Sequence, residues 1–350
     1  MAAIPAARAE APQLDFPLAC TPGADCWIIQ YTDVDPGPDF KDYTCGRNSY
    51  DGHGGTDIAV ADFATLRRGP VVLAAAPGRV VWTRDGMADE LFERGRLAEF
   101  KGRACGNGVA IHHGEGWETM YCHLQNGSVV AKMGEMVAAG DPIARMGLSG
   151  VTEFPHLHFQ VMRYGRIVDP FLGDEKPAAC GLGAKHMWTE TAMPKVRHQP
   201  IKIANMGFSD RPPEEDDAWA GRLADTILPA SSPYIAFWAQ TYGVREGDRI
   251  TLTLIGPDGG VVFRHEKRAD EDLIRAWRWL AVPGVGLWEA GDYVGLVEVA
   301  RGDAVERATR RLTVPPAEGL TISTGRRDSP LTGGSGAISP LGAAHARAGG

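Results

Sequence analysis

The chain has 350 residues, 44% of them apolar and 23% charged, a balance that excludes disorder over most of its length and leaves room for about two domains. Its 36 Lys and Arg against 44 Asp and Glu give a net charge of −8 without a long basic run, which argues against nucleic acid as the main partner. Every apolar stretch breaks at Arg, Gly or Pro too early for a membrane-spanning helix.

In chain order, residues 1–18 read as a leader remnant and linker. Met1 to Ala9 ends in Ala7-Arg8-Ala9, like the small-residue cleavage end of a secretory signal, though without its charged start and apolar core. Residues 19–175 form the first expected domain. Within it, 19–48 is rich in turn residues and reads as irregular. From about 49 onward, short strands are expected at 70–76, 79–83, 108–113, 118–124, 156–163 and 166–170, punctuated by Gly and Pro. The Ala, Leu, Glu and Arg content of 84–104 predicts a helical insertion. Residues 176–195 read as a connector. Residues 196–315 are β-rich again, with one hairpin over Ile250–Leu254 and Val261–His265 and another over Tyr293–Ala300 and Glu306–Val314. The Arg301-Gly302-Asp303 triplet reads as the turn of the second hairpin. Residues 316–350, rich in Gly, Ala, Ser and Pro, read as a disordered tail. The expected fold is thus mainly β: a compact antiparallel β domain followed by an immunoglobulin-like β-sandwich.

Six cysteines occur, at 20, 26, 45, 105, 122 and 180, with no CxxC pair. A tetrathiolate zinc site is therefore not expected. An even count fits disulfides; Cys20 and Cys26 could close a short loop, and Cys122 could pair with Cys105. Six buried thiols in a cytosolic protein are the alternative. Together with the N-terminal residues, the cysteines favour export to the periplasm or cell envelope.

Four histidines stand in informative contexts. His53-Gly54-Gly55-Thr56-Asp57 is H-x-x-x-D, and in an extended chain positions 53 and 57 share a face. His156-Leu157-His158 is H-x-H in a strand-like segment, which puts both imidazoles on one face. In Thr119 to Leu124, alternation places Thr119, Tyr121 and His123 on one face, with Met120, Cys122 and Leu124 on the other. Imidazole and carboxylate are zinc ligands, but each pair alone is also compatible with ordinary strand residues. His112 and His113 point to opposite faces, and His113 reads as structural. His265-Glu266 lacks the second histidine of a helical zinc motif, and no Walker loop or dinucleotide fingerprint is present.

The segment 53–171 resembles the lysostaphin-type zinc metallopeptidases, which are peptidoglycan endopeptidases with a compact antiparallel β fold. The resemblance rests on an ordered series: His53 and Asp57, Gly69-Pro70-Val71, Ala76 to Val80, Gly106 to His113, Thr119 to Leu124, Val137 to Ile143, Pro155 to Phe159, and Val168 to Pro170. It implies that His53, Asp57 and His158 hold one zinc ion and that His123 and His156 are the catalytic pair. Tyr121 is the candidate for a hydrogen bond to substrate, with a packed strand tyrosine as the alternative. Three protein ligands leave a fourth position for water.

The implied function is hydrolysis of peptide cross-links in bacterial peptidoglycan. The alternative is a non-catalytic envelope scaffold that binds peptidoglycan or activates a partner hydrolase. A peptidase with a protein substrate is a third reading.

Overall fold

In a computed structural model, the described residues are 10–174, 179–317 and 331–332. They divide into two compact units, residues up to 60 together with 66–198, and residues 61–65 together with 199 onward. Residues 1–9 of the expected leader lie outside the described residues. So does the expected tail, apart from 316–317 and 331–332.

The first unit is built on strands β1 (Cys26–Gln30), β2 (Thr56–Val60), β3 (Val71–Leu73), β4 (Gly78–Arg84), β5 (Asn107–Gly114), β6 (Trp117–Leu124), β7 (Met136–Val137), β8 (Pro142–Arg145), β9 (His156–Arg163) and β10 (Arg166–Val168). One sheet runs β1-β2-β9-β6-β5-β4-β7, with β10 paired to β9, while β3 pairs β8 apart from it. All of these pairings are antiparallel. Strand alternation explains the layering. In β9, Leu157, Phe159 and Val161 are buried on one face, which leaves His156, His158 and Gln160 on the other.

Several expectations are corrected. Residues 10–18 are core rather than linker: Leu14, Phe16 and Leu18 are buried, and the Leu14 N–H donates to the Met187 carbonyl. Burying each such side chain stabilises by about 1.5–3 kcal/mol. The expected connector carries the buried Met187 and Trp188, and the Trp188 ring packs on Phe159 and Phe171. Residues 19–48 contain β1, whose five residues are all buried; its continuous apolar run gives no alternation to read. The 84–104 insertion is not an α-helix. It leaves β4 at Arg84 and contains one 3-10 turn, Arg94–Phe100, with no side-chain cap at Glu93. Gly86, Gly95 and Gly102 work against a longer helix. Its first part is held by carboxylates instead: Asp85 accepts from the N–H groups of Gly127 and Val129, and Asp89 from those of Asn126 and Leu148.

The cysteines form three disulfides, Cys20–Cys26, Cys45–Cys180 and Cys105–Cys122, and none is free. The buried-thiol alternative is thereby overturned.

The second unit contains β11 (Lys202–Ser209), β12 (Tyr234–Val244), β13 (Arg249–Ile255), β14 (Val261–Arg268), β15 (Leu273–Pro283), β16 (Gly291–Arg301), β17 (Ala304–Val314) and β18 (Leu331–Thr332). They form two four-stranded sheets, β11-β12-β15-β18 and β14-β13-β16-β17. Phe208, Phe237 and Leu280 of the first sheet share a core with Leu252, Leu254, Val297 and Leu312 of the second. Both expected hairpins are present. Arg301 and Ala304 pair across the turn that holds the Arg-Gly-Asp triplet, and the Arg301 guanidinium is tied to Asp248.

Two buried carboxyls in the first unit behave oppositely. Burial works against the charge on Asp42. Hydrogen bonds from His198, Thr44 and the Asn48 N–H outweigh it and hold this carboxyl well below the usual range. Burial pushes Asp169 up to about 7, although its Oδ1 accepts from the N–H groups of Phe171 and Leu172. In the unfolded chain such a carboxyl titrates near ~4. Between those values the folded state holds the extra proton, so native stability falls as pH rises through that window. Asp169→Asn keeps the Oδ1 acceptor and removes this loss. In urea unfolding at pH 4.5 and pH 8, the variant should gain on wild type by about 2–4 kcal/mol between the two pH values. A constant difference would contradict the buried, raised carboxyl.

Candidate metal centre

The centre begins with strand register. β2 and β9 pair so that Asp57 faces His158 and Ala59 faces His156. Directly opposed residues put their side chains on one face, close enough to interact. His53 arrives from the turn before β2, and its Nδ1 donates to the Tyr31 carbonyl at 2.7 Å. That bond spends one ring nitrogen and leaves Nε2 for the centre. His53 Nε2 lies 3.2 Å from Asp57 Oδ1 and 3.3 Å from His158 Nδ1; His158 Nδ1 lies 2.8 Å from the same Asp57 oxygen.

These three atoms fit a zinc ion. Ligands at about 2.0–2.2 Å in a tetrahedron lie about 3.3–3.6 Å from each other. Two of the observed edges approach that range, and the Asp57–His158 edge is shorter. Two imidazoles and one carboxylate are a recognised donor set for a zinc site that keeps an open position. A second group of possible ligands, Cys20, Asp25 and Cys26, contains both sulfurs of a disulfide, which removes the thiolates that a metal would need.

His123 and His156 complete the cluster. Their ring centroids are 4.7 Å apart, and His123 lies 6.1 Å from the His158 ring. His156 Nε2 is 3.7 Å from Asp57 Oδ1. Each is oriented through Nδ1: His123 donates to the Ser149 carbonyl at 2.8 Å, and His156 to the Phe154 carbonyl at 3.0 Å beside Thr152 Oγ1. Burial opposes the charge on Asp57, but the neighbouring His53 and His156, with hydrogen bonds from His158 and His53, hold its carboxyl well below the usual range. Burial, then the neighbouring His156 and His158, push the His123 imidazole well down; burial likewise lowers His156. For His53, burial is outweighed by Asp57, and its value rises.

The alternation expected for β6 does not hold at its end. β6 and β9 pair Tyr121 with Phe159 and Cys122 with His158, so Cys122, not Tyr121, belongs to the His158 face. His123 reaches the centre because it adopts a left-handed backbone, with φ of 60°. That conformation costs a non-glycine residue roughly 1–2 kcal/mol and breaks the two-residue period. Tyr121 is fully buried, and its hydroxyl accepts from the Ala75 N–H and from Thr119 Oγ1. These contacts position β6. His113 bridges the Pro77 carbonyl and Thr119 and is structural.

The orienting groups Tyr31, Ser149 and Phe154 act through backbone carbonyls, which carry no side-chain signal in a sequence. Gly55 did carry one, as part of the glycine pair inside H-x-x-x-D. A Cβ at Gly55 would come within 2.8 Å of the His158 ring and 2.6 Å of the Phe159 carbonyl. Gly55→Ala should therefore displace His158 and weaken zinc binding by about tenfold or more, measured by competition with a chromogenic chelator, while the far-ultraviolet circular dichroism stays unchanged. Unaltered zinc affinity would contradict this geometry.

Residues 51–170 match the family model described as peptidase family M23. Among curated relatives, the peptidoglycan DD-endopeptidase ShyB of Vibrio cholerae is 32% identical over 139 residues, covering 39% of this chain and 28% of that protein. The murein hydrolase activator EnvC of Escherichia coli is 34% identical over 102 residues, covering 29% of this chain and 20% of that protein. The chain thus matches less than a third of the length of either. Among solved structures, a zinc-containing peptidase from Vibrio cholerae is similar, with 25% identity, a TM-score of 0.28, and coverage of 43% of this chain and 41% of that one. Residues 51–170 thus carry the match to peptidase family M23.

Proposed function

We propose that this protein is a zinc-dependent endopeptidase that hydrolyses peptide cross-links of bacterial peptidoglycan. His53, Asp57 and His158 hold one zinc ion, and His123 and His156 are the catalytic pair. The observation that carries this reading is the meeting of three ligand atoms within 2.8–3.3 Å of one another, with two more oriented imidazoles beside them. When bound, zinc supplies Lewis-acid activation of water and of an amide carbonyl.

The protein's own groups do the rest. His53 and His158 present one nitrogen each, and Asp57 supplies the negative charge. Of His123 and His156, a neutral imidazole takes the proton of the attacking water; an N–H donor steadies the oxyanion and protonates the leaving amine. Their Nδ1 atoms are already engaged by carbonyls, so Nε2 is the working nitrogen of each. Tyr121 acts at a distance, as a positioning residue for β6.

Three disulfides with no free cysteine fit an oxidising compartment, and among the described residues no helix is long and apolar enough to cross a membrane. Export to the periplasm or cell envelope is the corresponding proposal. The second unit is read as an immunoglobulin-like accessory domain.

The similarity to a murein hydrolase activator favours one competing reading, a scaffold that binds peptidoglycan or activates a partner hydrolase. The two diverge in a single assay. Zinc-loaded protein should release cross-linked peptides from isolated sacculi, seen by product masses. Chelation, His158→Ala and His123→Ala should each lower the rate by about a hundredfold or more. Intact cross-links with fully loaded wild-type protein would overturn the enzyme reading, and equal biological rescue by wild type and His123→Ala would support the scaffold.

A further inference from the structure

Beside the metal centre lies a cleft of about 1170 Å³ whose wall includes His53. A backbone hydrogen bond ties it to the centre. The Asp33 N–H donates to the His53 carbonyl at 2.8 Å, so Thr32 and Asp33 run alongside the first metal ligand. The cleft is acidic. Six carboxylates line it, among them Asp33, Asp35 and Asp51, against two arginines, Arg163 and Arg166. Two of the six carboxylates are ion-paired, Asp174 with Arg163 and Asp35 with Lys41, so four acids remain against Arg166.

Two buried acceptors are left over on this wall. Asp169 is 6% exposed, and its Oδ2 has no hydrogen-bond partner, whereas Oδ1 is satisfied by Phe171 and Leu172. Thr32 is 2% exposed, and its hydroxyl also has no partner. Both residues line the cleft. A buried oxygen without a donor is destabilising, and more so when charged. A donor carried by a ligand removes that cost, and an ammonium also supplies the opposite charge. The acids of the cleft do not gather three metal-ligand atoms together, unlike His53, Asp57 and His158. A compact divalent ion is therefore a poorer match than a cation with directional N–H groups.

We propose that this cleft is a subsite for a free ammonium group on the substrate peptide, with Asp169 Oδ2 and Thr32 Oγ1 as acceptors inside the acidic wall of Asp33, Asp35 and Asp51. In naming the ligand a substrate, this rests on the peptidase reading. It also addresses how a protein of net charge −8 selects part of an acidic polymer: the local field favours the segment that bears an amine. Burial pushes Asp169 up to about 7, and an ammonium at Oδ2 would draw it back down, so binding and ionisation support each other.

The test uses zinc-loaded full-length His123→Ala, which holds peptide without turnover. Calorimetry compares a cross-linked peptide bearing one free side-chain amine with the same peptide N-acetylated. The amine form should bind about tenfold tighter. Asp169→Asn and Thr32→Val, each added to His123→Ala, should shrink that preference to about threefold or less. Thermal unfolding shows which variants are folded, and Thr32→Val carries the test if Asp169→Asn is not. Equal binding of the two peptides, no binding of the amine form, or a preference untouched in the folded variants would each overturn the proposal. Should wild type leave sacculi uncut while the amine preference persists, the peptidase reading falls and the cation subsite stands. Should sacculi be cut while both peptides bind alike, the subsite falls and the peptidase reading stands.

Discussion

One carboxylate oxygen organises the first unit. Asp57 Oδ1 lies 2.8 Å from His158, 3.2 Å from His53 and 3.7 Å from His156, in a place where Asp57 is 2% exposed. An isolated charge so deeply buried would neutralise itself. Here the surrounding imidazoles hold it ionised. The antiparallel pairing of β2 with β9 fixes two of these groups, and a turn relieved of bulk at Gly55 brings in the third. The remaining histidines are then held by carbonyls at their outer nitrogens. The cluster is thus preorganised: His53, His123 and His156 each have one nitrogen spent on a backbone carbonyl and one turned to the centre.

Much of this was legible because the chemistry is local to short motifs. Asp57 of H-x-x-x-D and both histidines of H-x-H lie on paired strands, and the period of two predicts correctly that His156 and His158 share a face. The same rule failed for His123. A left-handed backbone at one residue reverses the face of its side chain, and nothing in Tyr121-Cys122-His123-Leu124 announces it. Burial was the other blind spot. Leu14, Phe16 and Leu18 alternate with Asp15, Pro17 and Ala19, yet a position near the chain start and small-residue composition made them read as a linker. Trp188 sat in a stretch read as a connector for a similar reason. Long-range partners, here the Met187 carbonyl for the Leu14 N–H and the Phe171 ring for Trp188, are not encoded in the neighbouring residues.

The 84–104 segment shows the limit of propensity from the other side. Its composition favours a helix, but three glycines and an uncapped start leave only a 3-10 turn. Its order comes instead from Asp85 and Asp89 gripping backbone N–H groups of the 126–129 and 148 loops. The Gly147 N–H in turn donates to the His123 carbonyl. The segment therefore adds rigidity near a residue whose backbone is strained, which links a surface excursion to the geometry of the site.

X-ray absorption at the zinc edge on the purified full-length protein tests the central claim most directly. One zinc per chain, with imidazole nitrogen and carboxylate oxygen at about 2.0–2.2 Å and no sulfur, is the result required by a centre of His53, Asp57 and His158. A shell containing sulfur at about 2.3 Å, or a protein that retains no zinc after dialysis against the free ion, would contradict it.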